Sequence, residues 1–484
     1  MRTKESKRSV FLLFTALSLA GCNAIQTKQQ SSSFDQQFET GQFQAAADTA
    51  LSAGDITPDG ESNSLLWSLQ GGTALSALGQ YEFSNKVFDS AESMMKAEDT
   101  ENVGRKGLEI ITTALVNNSL NRYSPTVYDG VMTNTYKAFN SMFLHDFQNA
   151  RIEFNRAADR QRRAEEEFKD KLAEKQKELA EKEAKAKHSE TSTDKSSPFD
   201  YQRSSTQSES VVYKQYPELK EWQAYPDYVN PYTDYLHGLY FMLSSQDKSD
   251  LSKARTSMRR VAGMNPNNPA VKTDLKVADK LRRGQWSKKR LNPAVWVIFE
   301  NGLAPTIKET LIPIPLFLVN NKVDYAQIAL PKLSHRAKAY PYLEIFDGKK
   351  SLGKTTQLAD IDRVIQTEFK KEFPLKVTEA ISSSLIKAYI QYKAKKEAGA
   401  VGGLLAAVYQ VATTHVDTRS WSSLPKEVQL ARIRKPKSNT LNINAPGFPA
   451  PLKIDLPDSR FTVIYVKATA PGSTPIYKLT SFDA

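Results

Sequence analysis

A short spacing recurs along the first half of the chain and limits the folds open to it. Gly41-Gln42-Phe43 is followed by Ala46 and Ala50, and Gly79-Gln80-Tyr81 by Ser84, Phe88 and Ala91, with Gly72 and Leu75 before it. His145-Asp146-Phe147 leads to Ala150, Phe154 and Ala157, and Asp250-Leu251 to Ala254, Met258, Val261 and Pro266. In each copy an aromatic residue or leucine closes a turn and a small residue follows three positions later. A bulky residue follows at plus seven in three of the four copies. Residues so spaced share one face of a helix. The small side chain lets two antiparallel helices approach closely, and the bulky one fills the gap to the next pair. The pattern predicts helix pairs stacked in a row, each unable to bury its apolar face alone.

This spacing resembles the second helix of a tetratricopeptide repeat. The Tyr81 and Phe147 copies lie 66 residues apart, about two of that family's periods, and a degenerate copy is expected around Gly104 to Val116. Pro266 falls where the family ends its helix; Ser84 replaces the usual alanine, and Ser244 to Ser249 are inserted in the fourth copy. The resemblance implies a groove that grips an extended segment or helix of a protein partner. The array is expected over 34–160 and again over 213–284. Between them, Gln161 to Lys187 carries Glu165/Lys169, Glu167/Lys171, Glu178/Lys182 and Glu181/Lys185 at helix-supporting spacing. With only Phe168, Leu172 and Leu179 as an apolar stripe, it reads as a solvated helix or, alternatively, as a strip for a partner helix. His188 to Ser210 is rich in Ser and Thr and is read as disordered, which makes 161–212 a charged helix and linker. Aromatics crowd Tyr213 to Tyr240 around three prolines. They either pack across the re-entry into the array or form a stacking platform for sugar rings or an extended peptide.

At the amino end a basic head (Arg2, Lys4, Lys7, Arg8) precedes an apolar run, Val10 to Leu19, too short to cross a bilayer. Leu19-Ala20-Gly21-Cys22 follows and holds the only cysteine. This resembles a bacterial lipoprotein signal peptide with its lipobox. The resemblance implies a diacylglyceryl group on the Cys22 thiol, cleavage before it and acylation of the new N-terminus, an anchor strong enough to hold stably to a membrane. Asn23, in place of an aspartate, implies the outer membrane, with the protein on its periplasmic face. Residues 1–21 are then a signal peptide and 22–33 a polar tether. An acylated Cys22 leaves no disulfide or thiolate chemistry, and nucleotide-driven chemistry loses its fuel outside the cytoplasm. The formal charge of +12 falls to about +9 without the signal, and this excess either suits anionic envelope material or is a mixed-charge surface with no specific partner. The five histidines show no paired metal-binding spacing. No cofactor, metal or nucleic-acid partner is expected.

Past Gly284 the pattern turns to strands: Val295 to Phe299, Leu316 to Val319, and Tyr342 to Phe346 before the turn signal Asp347-Gly348. Asp360 to Glu372 reads as a helix capped by Asp360, and Leu375 to Glu397 as a second one after Pro374. Strands resume at Leu441 to Ile443, Phe461 to Lys467 and Ile476 to Leu479. The expected fold class is α+β: the helical array, then a sandwich-like β-rich domain over 285–484 with helices at about 360–416.

Gly348 to Thr355 matches the phosphate-loop pattern G-x-x-x-x-G-K-[ST], and Val295 to Phe299 followed by Glu300 could pass for its acidic second motif. The mechanism needs a helix to start at Lys354; here the helix is expected at Asp360, and the segment reads as a hairpin. Gly399 to Val416, small and apolar, is read as a buried helix or, alternatively, as a face for a membrane or partner helix. Asp417-Thr418-Arg419-Ser420-Trp421-Ser422-Ser423-Leu424-Pro425 completes a set with the lipobox, the repeats and the β-rich C-terminus. Together they resemble an uncharacterised family of proteobacterial tetratricopeptide-containing lipoproteins with a D-x-R-x-W-x-x-L-P signature, a resemblance that implies no activity. Asp417 and Arg419 can lock a turn, Trp421 can fill a pocket and Pro425 can start a strand, which makes a structural staple or, alternatively, a partner-binding hot spot. No nucleophile, base and orienting group present themselves as a set. The sequence therefore points to a non-catalytic, lipid-anchored periplasmic scaffold or adaptor that binds an envelope protein. A peptidoglycan-binding or synthase-regulating lipoprotein is the alternative, and a nucleotide-binding enzyme built on Lys354 the third reading.

Overall fold

The computed structural model describes residues 27–101, 123–191, 201–225, 229–317, 323–412 and 415–483. Cys22, the signal segment and the expected copy at Gly104 to Val116 lie outside them. The fold is α+β. A helix over 27–39 (α1) is followed by α2 (Phe43–Ala53), α3 (Leu65–Leu78), α4 (Tyr81–Glu101), α5 (Val127–Phe143), α6 (Phe147–Thr191) and α7 (Tyr201–Gln215). After a single turn at Glu218–Glu221 come α8 (Pro231–Leu243), α9 (Lys248–Met264) and α10 (Pro269–Arg282).

Tight turns make helix pairs of α3 with α4, α5 with α6 and α8 with α9. The close approach read from the sequence is visible at its small residues. A Cβ on Gly72 would stand 2.6 Å from the Phe88 ring, and one on Gly238 3.1 Å from Met258. Ser84 is accommodated because its hydroxyl donates to the Gly72 carbonyl (2.7 Å) and accepts from Asn140 (2.9 Å). Local chemistry starts the helices where they start. Thr126 and Asp129 form a capping box on α5, Asn230 caps α8 ahead of Pro231, and Asn268 caps α10 ahead of Pro269.

Eleven strands follow among the described residues. β1 (Ala294–Leu303) lies at the centre of a five-stranded sheet with β6 (Thr356–Asp360), β7 (Pro425–Arg434), β10 (Phe461–Ala468) and β11 (Ile476–Phe482), in the order β11-β10-β1-β7-β6. β1 runs parallel to β10, and the other pairs are antiparallel. All ten residues of β1 are buried, as its position between two layers requires. One face, with Trp296 and Ile298, packs on the helices; the other, with Val295, Val297 and Phe299, packs on a four-stranded sheet. That sheet orders β5 (Lys350–Lys354), β4 (Glu344–Asp347), β8 (Thr440–Asn444) and β9 (Leu452–Asp455). A separate ribbon pairs β2 (Thr306–Phe317) with β3 (Val323–Ser334).

The expected boundary at 285 marks a change of secondary structure only, because one apolar cluster runs from Leu65 in α3 to Phe482 in β11. Helix α1 begins by residue 27 and replaces most of the tether expected to end at 33. The linker expected over His188 to Ser210 is corrected at both ends, since α6 continues to Thr191 and α7 packs on β2, while 192–200 lie outside the described residues. In α7, Ser204 and Ser208 are buried because they are small and find backbone groups: Phe317 N donates to Ser204, and Ser208 donates to the Pro315 carbonyl. Pro374 does not divide two helices. It lies inside α11 (Ile361–Ala412), where buried Phe373, Leu375 and Val377 hold the helix across it. This packing outweighs the lost backbone donor. Asp360 caps α11 as read, accepting from Arg363 N at 3.2 Å. The side chains of Leu172 and Leu179, and those of Gly399 to Ala412, lie outside the description.

His237 of α8 is buried against α9, with Nδ1 2.9 Å from the Ser257 hydroxyl. Burial, then Lys253 and Arg260, pull its pKa from the ordinary 6.5 to about 3. The unfolded chain binds this proton near pH 6.5 and the folded one only near pH 3, so between those limits the folded state carries fewer protons. Stability falls as pH is lowered through that window. Urea unfolding across it should show a shallower acid loss for His237→Gln than for the parent chain; equal slopes would contradict the assignment.

Candidate functional site

The sequence-predicted residues Asp417, Arg419 and Trp421 stand where the helices meet the sheet. The Arg419 backbone N–H and Nε donate to Asp417 Oδ1 at 3.0 and 2.8 Å, and its Nη2 to Oδ2 at 2.6 Å. This bidentate pair closes the turn before β7. Trp421 is 1 % exposed. Its indole N–H donates to Thr73 of α3 (2.9 Å) and to Ser423 (3.0 Å), and its ring lies about 6 Å from those of Phe88 and Tyr136. Gln70 of α3 donates to Ser422 (2.7 Å) and accepts from Ser423 (2.6 Å). Ser422 reaches Asp35 of α1, and Arg336 donates to the Ser422 and Ala304 carbonyls. Burial raises the Asp35 pKa, against the Ser422 bond and the Arg336 charge. The segment thus ties α1 and α3 to the ends of β1 and β7, which is the staple reading. Trp421 has no surface to offer a partner.

Next to it lies a cluster that no local motif announced. Glu300 on β1 is fully buried. Its Oε2 accepts from Tyr465 (2.6 Å), Lys467 (2.8 Å) and Tyr136 (3.2 Å), and its Oε1 from Tyr232 (2.9 Å). Lys467 lies directly opposite Glu300 in the parallel register, and Tyr465 shares its face two residues earlier. Burial, then the Glu300 charge, pushes all three phenols well above their ordinary pKa. They are fixed donors. A comparable knot holds the helices together, where buried Lys137 of α5 meets Glu92 (2.8 Å), Glu153 (2.9 Å) and Asp89 (2.7 Å). Burial would raise the Glu92 carboxyl, but Lys137 and its neighbours hold it at about 2.

This geometry changes one expectation, separates the two readings of the aromatic run and agrees with the hairpin read from Asp347-Gly348. The helix faces expected to grip a partner are covered from within the chain, α5 and α8 by the sheet through Tyr136, Phe139, Tyr232 and Tyr235, and α3 by the segment before β7 through Thr73. The aromatic run takes the packing reading rather than the stacking platform, with Tyr216, Tyr225, Tyr232, Tyr235 and Tyr240 buried. The phosphate-loop match is a β-hairpin. Lys354 ends β5 beside Tyr342 (3.2 Å) and Glu344 (3.4 Å), and α11 starts only at Ile361. Glu300 points to the helix layer, away from the sheet that carries Lys354. The two halves of the motif therefore do not meet. Among the described residues, no group of three or more His, Cys, Asp or Glu is arranged to hold a metal ion.

No family model, curated protein or solved structure matches the chain.

In urea unfolding, Trp421→Ala should cost about 3–5 kcal/mol, whereas Arg419→Ala, which removes a partly exposed pair, should cost no more than about 1 kcal/mol. A stable Trp421→Ala chain would defeat the staple. Lys467→Met leaves Glu300 buried and unpaired and should cost about 3–5 kcal/mol, with the double variant Glu300→Gln/Lys467→Met recovering much of it; a double variant as unstable as Lys467→Met would count against a desolvated ion pair.

Proposed function

We propose that the chain is a non-catalytic, lipid-anchored adaptor of the bacterial cell envelope, attached through acylated Cys22 to the periplasmic face of the outer membrane. The observation that carries the adaptor reading is where polar chemistry and apolar surface lie. The buried ionisable groups at the helix-sheet junction are consumed in pairing one another. Large apolar side chains stand exposed on one face of the β2–β3 ribbon, with Tyr325 69 % and Leu311 48 % exposed and Pro313 beside them. Such an apolar face suits a protein partner. The partner surface is thus assigned to the ribbon, since the helix groove is filled from within. Among the described residues no helix is long and apolar enough to cross a membrane, and in this reading the acyl chains at Cys22 supply the attachment.

In a Gram-negative host, radiolabelled palmitate should mark the parent chain but not Cys22→Ala. Fractionation should move the variant out of the outer-membrane fraction with its thermal unfolding unchanged. An unlabelled parent chain would end the anchor reading. A photo-crosslinking side chain at position 325 should trap a defined envelope protein, and Leu311→Asp should abolish the product; glycan strands trapped in its place would transfer the argument to peptidoglycan.

A further inference from the structure

From the last turn of α10 into its connection to β1, the chain carries six cations and no acid from Lys280 to Arg290. Its shape follows from the end of α10. Gly284 adopts a left-handed φ of +69° that L side chains rarely take, and Gln285 N and Trp286 N both turn back to the Lys280 carbonyl. Lys288 is drawn inward, where its ammonium donates to the carbonyls of Leu243 and Ser245 at the end of α8. With the chain pinned on both sides, Trp286 is thrown outward and is 41 % exposed. No hydrogen bond to its indole occurs among the described residues. Arg282, Arg283, Lys289 and Arg290 stand exposed around it.

The exit of the turn is fixed to the sheet by the Arg460 guanidinium on the Leu291 carbonyl and by Lys435 N on the Pro293 carbonyl. This brings Arg434, the register partner of Ala294, and exposed Lys437 to the same end of the sheet. Of the opposing charges, Asp279 is shared by Arg255 and Arg283, Asp458 is exposed beside Arg460, and Asp347, which accepts from Ser438, and exposed Asp455, opposite Thr440, stand near Lys437. Arg282, Lys289, Arg290, Arg434 and Lys437 are left without an ion pair among the described residues.

We propose that this turn is a contact site for a bilayer surface bearing anionic headgroups, with Trp286 seated at the headgroup level and the surrounding cations on the phosphates. An exposed Trp flanked on both sides by Lys and Arg fits the membrane interface, where the indole's apolar body and polar N–H are both accommodated. Each cation near such a surface adds to the attraction. The site lies at the start of β1. The last turn of α1 meets the other end of the sheet, where Thr469 donates to the Glu39 carbonyl. The contact is therefore a feature of the folded domain and does not depend on acylation at Cys22.

The test uses the full chain with Cys22→Ser, so that no acyl anchor contributes and residues 1–21 are common to every variant. Flotation with phosphatidylcholine vesicles, with and without phosphatidylglycerol, should show binding that needs the anionic lipid and weakens with salt. The triple variant Arg282→Gln/Lys289→Gln/Arg290→Gln should lose about a hundredfold in partition to the anionic vesicles, from roughly fivefold per cation. Trp286→Ala should lose severalfold on those vesicles with no change in retention on immobilised heparin. Flotation of the triple variant equal to that of its parent overturns the proposal. Flotation unaffected by Trp286→Ala also overturns it, in favour of a soluble anionic polymer.

Discussion

Glu300 is a carboxylate closed off from the surface, and the way it is compensated determines how the two halves of the fold meet. Desolvating a charge costs far more than a single contact returns, so every lone pair needs a donor held in place. Here the donors come from α5, α8 and β10, and each approaches from its own direction. A slip of one residue between β1 and β10 would turn Lys467 to the other sheet face and leave the charge bare. Apolar packing alone would tolerate several arrangements of helix against sheet, but this carboxylate accepts one. Trp421 reinforces it from the side, through Tyr136.

The fold was readable where the signal is local. The turn-small-bulky spacing located three helix pairs, alternating and β-branched runs located β1, β10 and β11, and Asp347-Gly348 located a hairpin that disarmed the phosphate-loop match. The Asp417–Arg419 clasp was also legible, since its members are two residues apart. What the spacing could not carry is pairing at distance. Thr73 and Gln70 as partners of the Trp421 segment, and three tyrosines as partners of Glu300, are chosen by tertiary contact and leave no mark in one sequence. Two misreadings share a cause: Ser204 and Ser208 look like linker and Pro374 looks like a helix stop, yet in each case surrounding burial outweighs local preference.

The sheet covers the side of the helix pairs expected from the sequence to be open. Stacked helix pairs ordinarily leave their inner face open to a ligand; here that face is a core, and the sheet is its permanent occupant. In the proposed reading, variation available for binding is confined to the β2–β3 ribbon and the α10–β1 turn, where exposed side chains can change without disturbing Glu300. Specificity and stability are thereby separated in space.

The parallel pairing of β1 with β10 also sets an order of events. β1 is made long before its neighbour, and α1, α3 and α5 longer still, yet their partners Ser422, Trp421, Tyr465 and Thr469 come much later in the sequence. A polypeptide made from its amino end presents helix pairs whose sheet-facing sides stay uncovered until β7 and β10 have been made. Closing loops of such length is slow, and the waiting intermediate is prone to aggregate. The position of one strand thus ties the covering of the early helices to a late step of synthesis.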